Sequence, residues 1–148
     1  MKTTWILVAN QVEARIYSSK RLPGNLILLD TLTHEEGAFQ TRDLISDAPG
    51  RAFDSMGSGR HSMEPDTGVK EESRRRFVKK MVARLESAHF RGDYDRLVLL
   101  AAPAVLGVIR KTISKKFTNV VVKEIPKDVI GQDLDKIKAQ LRKSFELK

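Results

Sequence analysis

Side chains able to do chemistry crowd together in the stretch RAFDSMGSGRHSMEPDTG, residues 51–68. Arg51, Arg60 and His61 stand near Gly57 and Gly59, which have no side chain to hold a ligand away from the backbone. Just beyond come Arg74-Arg75-Arg76, Lys79-Lys80 and Arg84. On a helix, positions 75, 79 and 80 gather on a side away from the apolar stripe Phe77, Met81, Leu85, with Arg76 and Arg84 flanking them. Positive charge beside pliable backbone suits contact with phosphate groups, which is electrostatic and indifferent to base sequence. The candidate nucleic-acid contacts are therefore Arg51, Gly57, Gly59, Arg60, His61, Arg74, Arg75, Lys79 and Lys80. Most charge runs are only solvated helix faces; the regional charge balance favours binding here. Aromatic residues make up 6% of the chain, too few for a platform on which single-stranded bases stack.

Catalytic arrangements find less support. The chain has no cysteine, which removes disulfides, thiol catalysis and thiolate metal sites. His34, His61 and His89 lie far apart without ligand spacing and read as surface histidines. His61-Ser62 places a base beside a hydroxyl, but adjacent side chains rarely face each other, and no orienting acid is near in sequence. Gly57-Ser58-Gly59 with Ser62 is half of a dinucleotide fingerprint, with no strand before it. No catalytic residue, metal or cofactor is assigned.

Charge is the most informative bulk property. The formal net charge is +8, and residues 1–50 carry five Lys/Arg against six Asp/Glu, so the whole basic excess lies in residues 51–148. That asymmetry points to a polyanionic partner: ribosomal RNA, tRNA or another polyanion. The apolar run near the start is too short to span a membrane and lacks the pattern of a signal peptide, so a cytoplasmic location is expected.

The elements that must position these residues follow from periodicity. TWILVA and VEARIYS read as two strands around the polar turn Asn10-Gln11, and LILLDTLTH as a third after the turn RLPGN. From Glu35 to Thr67 periodicity fails, with one short helical turn expected near TRDLIS; residues 47–67 are expected to form a mobile loop. Helical spacing returns at Gly68 and stops at Gly92. DRLVLLAA is a continuous apolar run, as in a parallel strand buried on both faces. Pro103 opens a helix with Leu106, Ile109 and Ile113 as its buried stripe, NVVVKEI is a strand, and a last helix buries Leu134, Ile137, Leu141 and Phe145, capped by Asp133 or by the turn before it. The expected core is Val8, Ile16, Leu28, Phe77, Leu97, Leu99, Leu106, Ile109, Val121 and Leu141.

The order β-β-β-α-β-α-β-α predicts a single α/β domain over residues 1–148, with a ribonuclease H-like mixed five-stranded sheet and helices packed on it. Two-metal nucleases of that architecture need convergent carboxylates, yet the first strand (Trp5–Ala9) and the run Leu99–Ala102 contain none.

WILVANQVEARIY, the loop ending GRHS, the helix starting near Arg76-Phe77, LVLLAAPAVLGVIRKTI and EIPKDVIGQDLDKI together resemble the bacterial host attachment family, proteins required for attachment to host cells. The resemblance covers nearly the whole chain, and LVLLAAPAVLGVIR is its most specific part. That family is similar in turn to the middle domain of archaeal and eukaryotic peptide-chain release factors. In those factors a Gly-Gly-Gln loop helps water attack peptidyl-tRNA. Here Gly59 matches the second glycine and Arg60 stands in place of glutamine. A guanidinium cannot copy an amide's paired donor and acceptor, so peptide release does not carry over. Contact with ribosomal RNA or tRNA does. The resemblance thus implies a translation-associated, RNA- or ribosome-binding factor. The alternatives are a host-cell attachment factor acting through protein or glycan contacts, and a small hydrolase using Arg60 and His61.

Overall fold

The structure, a computed structural model, describes residues 2–21, 25–34 and 63–146. Among these the chain forms β1 (Thr4–Ala9), β2 (Glu13–Ser19), β3 (Ile27–Thr33), α1 (Met63–Phe90), β4 (Arg96–Ala101), α2 (Pro103–Thr112), the short α3 (Lys115–Thr118), β5 (Val121–Ile125) and α4 (Leu134–Glu146). The five strands make one mixed sheet in the order β3-β2-β1-β4-β5. β1 pairs antiparallel with β2 and parallel with β4; β2–β3 is antiparallel and β4–β5 parallel. This is the mixed sheet that the element order predicts.

β1 and β4 are central because both of their faces are apolar. Trp5, Leu7 and Ala9, with Leu97, Leu99 and Ala101, point to a core shared with α1, α2 and Phe117. Ile6, Val8, Val98 and Leu100 point the other way, to Ile137 and Leu141 of α4. Alternate residues of a strand face opposite ways, so a run apolar throughout needs a cover on each side. Fully burying one such side chain contributes about 1.5–3 kcal/mol, which makes these strands the stable centre.

Local chemistry sets the ends of the elements. Asn10 closes the β1–β2 hairpin: its Oδ1 accepts from the backbone N–H of Val12 at 2.9 Å and of Glu13 at 3.0 Å, an Asx-type turn. Its Nδ2 donates to the Asp128 carboxylate, at 3.2 Å to the nearer oxygen, which ties the hairpin to the segment after β5. α1 ends where Gly92 adopts φ +87°. There the Asp93 N–H donates to the Ala88 carbonyl and the Gly92 N–H to that of His89, both at 2.9 Å, the Schellman pattern of helix termination. Asp133 caps α4, its carboxylate accepting from the Lys136 N–H at 3.0 Å.

Five expectations need correction. α1 starts at Met63, so residues 63–67 are helical and not part of a loop; Pro65 fits because the first helical turn needs no intrahelical N–H donor. Leu28 is 51% exposed. β3 is an edge strand, and its pairing skips from Ile16–Asp30 to Tyr17–Leu28, so Leu29 is an extra residue that breaks the alternation. Leu134 is also exposed, at the very start of α4, while Ile137 and Leu141 are buried. Val121 and Ile113 are half-buried against the core edge. The short α3, capped by Ser114 accepting from Phe117 N–H at 3.3 Å, has no forecast in the periodicity. The expected turn near TRDLIS and the remainder of the 47–67 loop lie outside the described residues.

Candidate functional site

α1 places its charged residues by simple helical spacing. Phe77, Val78, Met81, Val82, Leu85 and Ala88 are buried against the sheet, which turns Arg75, Arg76, Lys79 and Lys80 outward. Arg75 and Arg76 stand at 3.9 and 3.8 Å from Glu71 and Glu72 one turn earlier, exposed pairs that solvent and salt screen. Lys79 and Lys80 have no ion pair among the described residues.

Arg74 differs from its neighbours. It is half-buried and, with Glu71, Arg75, Val108, Lys111 and Thr112, lines an open cleft of about 390 Å³ between α1 and α2. Its Nε is buried and has no hydrogen-bond partner. Thr112 Oγ1 donates to the Val108 carbonyl at 2.7 Å, so the cationic donors of the cleft are those of Arg74, Arg75 and Lys111, with Arg75 shared with Glu71. Three cations against one carboxylate give it a formal net charge of +2.

Of the predicted contacts, Arg74, Arg75, Lys79 and Lys80 therefore lie along one helix, with Arg74 and Arg75 at the cleft. Arg51, Gly57, Gly59, Arg60 and His61 fall outside the described residues. Arg84, read as a flank of the basic face, is engaged elsewhere: its Nε donates to Asp30 at 3.0 Å and its guanidinium lies 5.3 Å from the centre of the Trp5 ring. Lys111, which the sequence reading missed, joins the site because α2 packs beside α1. Its signal was the pair Arg110-Lys111 in the last turn of a helix whose buried stripe was already recognised.

The helix bearing these residues is pinned from within. Ser73, only 1% exposed, lies 2.5 Å from His34 Nε2, and His34 Nδ1 lies 2.6 Å from the Gln11 carbonyl. A carbonyl can only accept, so Nδ1 donates to it, and Nε2 and the Ser73 hydroxyl share a second hydrogen bond. The ring also stacks on Phe77, centroids 4.7 Å apart. His34 is thus buried, not a surface histidine, because β3 delivers it under α1. At the other end of α1, Tyr94 stacks on Trp5 at 4.4 Å and donates its hydroxyl to the Leu85 carbonyl at 2.6 Å. Burial pushes the Tyr94 pKa well above the usual tyrosine range, and the nearby Glu86 charge adds to the shift.

Among the described residues no three His, Asp or Glu side chains gather as a metal site would need, and no helix is long and apolar enough to cross a membrane. Fold and site together define a small α/β protein with helices on both faces of a mixed sheet and a cationic helical face on one of them. Over residues 5–141 the chain matches the family described as "Protein required for attachment to host cells", and it belongs to that family. An uncharacterized protein of Rickettsia prowazekii is 26% identical over 76 residues, 50% of this chain and 51% of that protein. The chain thus spans about half the length of this curated relative.

Proposed function

We propose that this family member works by contacting the sugar-phosphate backbone of a structured RNA, through the outward face of α1 and the adjoining parts of α2 and α3. One observation supports the reading above the others. Arg74, Lys79, Lys80, Lys111, Lys115 and Lys116 have no ion pair among the described residues. All six sit on helices packed on the same side of the sheet. Arg84, Arg91 and Arg110, by contrast, are paired with Asp30, Asp93 and Glu124. Clustered like charges repel one another, and a polyanion relieves that repulsion while releasing its own counterions.

The similarity to release-factor middle domains, the ribonuclease H-like reading of the element order and the net charge of +8 make ribosomal RNA or tRNA the favoured ligand in this proposal. They also favour a cytoplasmic, single-domain protein without a catalytic centre. Residues Arg51, Gly57, Gly59, Arg60 and His61 belong to the proposal as a second contact region preceding α1. The family's description favours one competing reading, direct attachment to host cells through protein or glycan contacts.

Co-sedimentation with ribosomes across a salt series separates the two. RNA contact predicts binding at low salt with log affinity falling linearly in log salt. Replacing Arg75, Lys79 and Lys80 with alanine should weaken binding, while Lys143→Ala on α4 should not. Protein that stays in the supernatant at the lowest salt, yet is exposed on intact cells, would replace this proposal with direct attachment.

A further inference from the structure

The cleft between α1 and α2 differs in kind from the open helical face beside it. An extended face greets any polyanion, whereas a concave site of about 390 Å³ is at the lower end of the size range of small-ligand pockets. Three features point to one ligand chemistry. The cationic donors come from two guanidinium groups and one ammonium, and guanidinium forks match the oxygens of phosphate or carboxylate. The Arg74 Nε–H is buried with no acceptor, although buried donors are almost always satisfied. The formal net charge of +2 matches a dianion better than the single charge of a phosphodiester link.

From these features we infer that the cleft seats a terminal phosphate group, a phosphomonoester, whose oxygens accept from Arg74 and Arg75 and are neutralised by Lys111. The inference deepens the RNA-contact proposal and rests on its assignment of α1 as the anion-facing helix. A phosphomonoester can be the 5′-phosphorylated end of an RNA or a free nucleotide. Glu71 lines the same cleft and pairs with Arg75 at 3.9 Å, so an arriving phosphate takes Arg75 over from a weak, exposed partner.

The test uses the full chain, with arginine side-chain Nε–H resonances followed by NMR at constant ionic strength. The additions are inorganic phosphate, a nucleoside 5′-monophosphate, and one oligoribonucleotide carrying either a 5′-phosphate or a 5′-hydroxyl. A single saturable site that moves the Arg74 Nε–H resonance is expected, with the 5′-phosphorylated RNA bound about tenfold more tightly than its 5′-hydroxyl form. Arg74→Lys keeps the charge but loses the fork and should abolish that preference. Lys111→Gln, at an exposed position, should weaken phosphate binding without a folding defect, and Lys143→Gln should leave it unchanged. A mononucleotide bound as tightly as the phosphorylated RNA makes free nucleotide the source; tighter RNA binding makes it the RNA end. Equal affinity for both RNA ends with no saturable shift at Arg74 overturns the cleft assignment, yet leaves salt-dependent RNA contact standing. Phosphate saturating Arg74 while neither RNA binds keeps the cleft and removes the RNA-contact proposal.

Discussion

Ser73→Ala is the perturbation whose magnitude the structure fixes best. Ser73 is 1% exposed and His34 8%, so water cannot take the place of the missing hydroxyl. Removing it deletes the hydrogen bond between that hydroxyl and His34 Nε2, while Nδ1 keeps the Gln11 carbonyl at 2.6 Å. A hydrogen bond of this kind contributes about 0.5–1.5 kcal/mol net. At about 2–4 °C per kcal/mol for a chain of this size, the melting temperature should fall by roughly 2–4 °C for a mid-range cost. Thermal unfolding followed by circular dichroism measures this directly. His34→Phe keeps a ring over Phe77 and also removes the ring nitrogen with which Ser73 pairs. The double variant should therefore be less destabilised than the sum of the singles, with a coupling of about 1 kcal/mol. Ser73→Ala melting within about 1 °C of the wild type, or single costs that add, would refute the pairing of Ser73 with His34.

Four further outcomes are expected. Replacing Lys79 and Lys80 with glutamine should make the salt dependence of RNA binding shallower by roughly 1.4–1.8 in log–log slope, at about 0.7–0.9 for each phosphate that a lysine no longer neutralises; an unchanged slope removes these lysines from the interface. Gly92→Ala should cost about 1–2 kcal/mol in urea unfolding, and the cost is backbone strain at φ +87°, since an added Cβ meets nothing within 4 Å. Tyr94→Phe should cost about 1 kcal/mol at neutral pH. The raised folded pKa means that Tyr94 stabilises fully below its unfolded value near 10 and progressively less above it, so the variant should show a smaller alkaline decline than the wild type. Leu28→Thr should change stability by no more than about 0.5 kcal/mol, whereas Leu99→Ala should cost about 2–5 kcal/mol; equal effects would contradict the assignment of β3 as a poorly buried edge.

The fold was legible where the signal is local. Leu97–Ala101, apolar at every position, announces a strand covered on both sides, and the Phe77–Met81–Leu85 spacing announces the face by which α1 packs. Leu28 misled because a strand's place at the edge of a sheet, and a bulge within it, depend on partners that its own residues do not specify. His34 misled for a similar reason: Ser73 is 39 residues away, although alternation from the half-buried Leu32 pointed it inward. The site was legible as charge but not as shape. Arg74-Arg75 and Lys79-Lys80 are visible in the sequence, yet the separation of Arg74 from the others and the arrival of Lys111 depend on the packing of α2 beside α1.

The place of β1 in the sheet has a consequence for the order in which the chain assembles. Its antiparallel partner begins four residues after it ends, so the β1–β2 hairpin closes a very short loop. Its parallel partner does not: Thr4 registers with Arg96, and the Thr3 N–H reaches the Asp95 carboxylate at 2.9 Å across 92 residues of chain. Pairings so distant in sequence forfeit far more chain entropy before they return any burial, and they slow folding accordingly. The β1–β2–β3 meander can therefore form early, with Trp5, Leu7 and Ile16 still open to water on the face that α1 will cover. The β1–β4 pairing, which closes the longer loop, is expected to follow. During synthesis the meander waits for β4 to be made, and in that interval both apolar faces of β1 lack the helices that cover them.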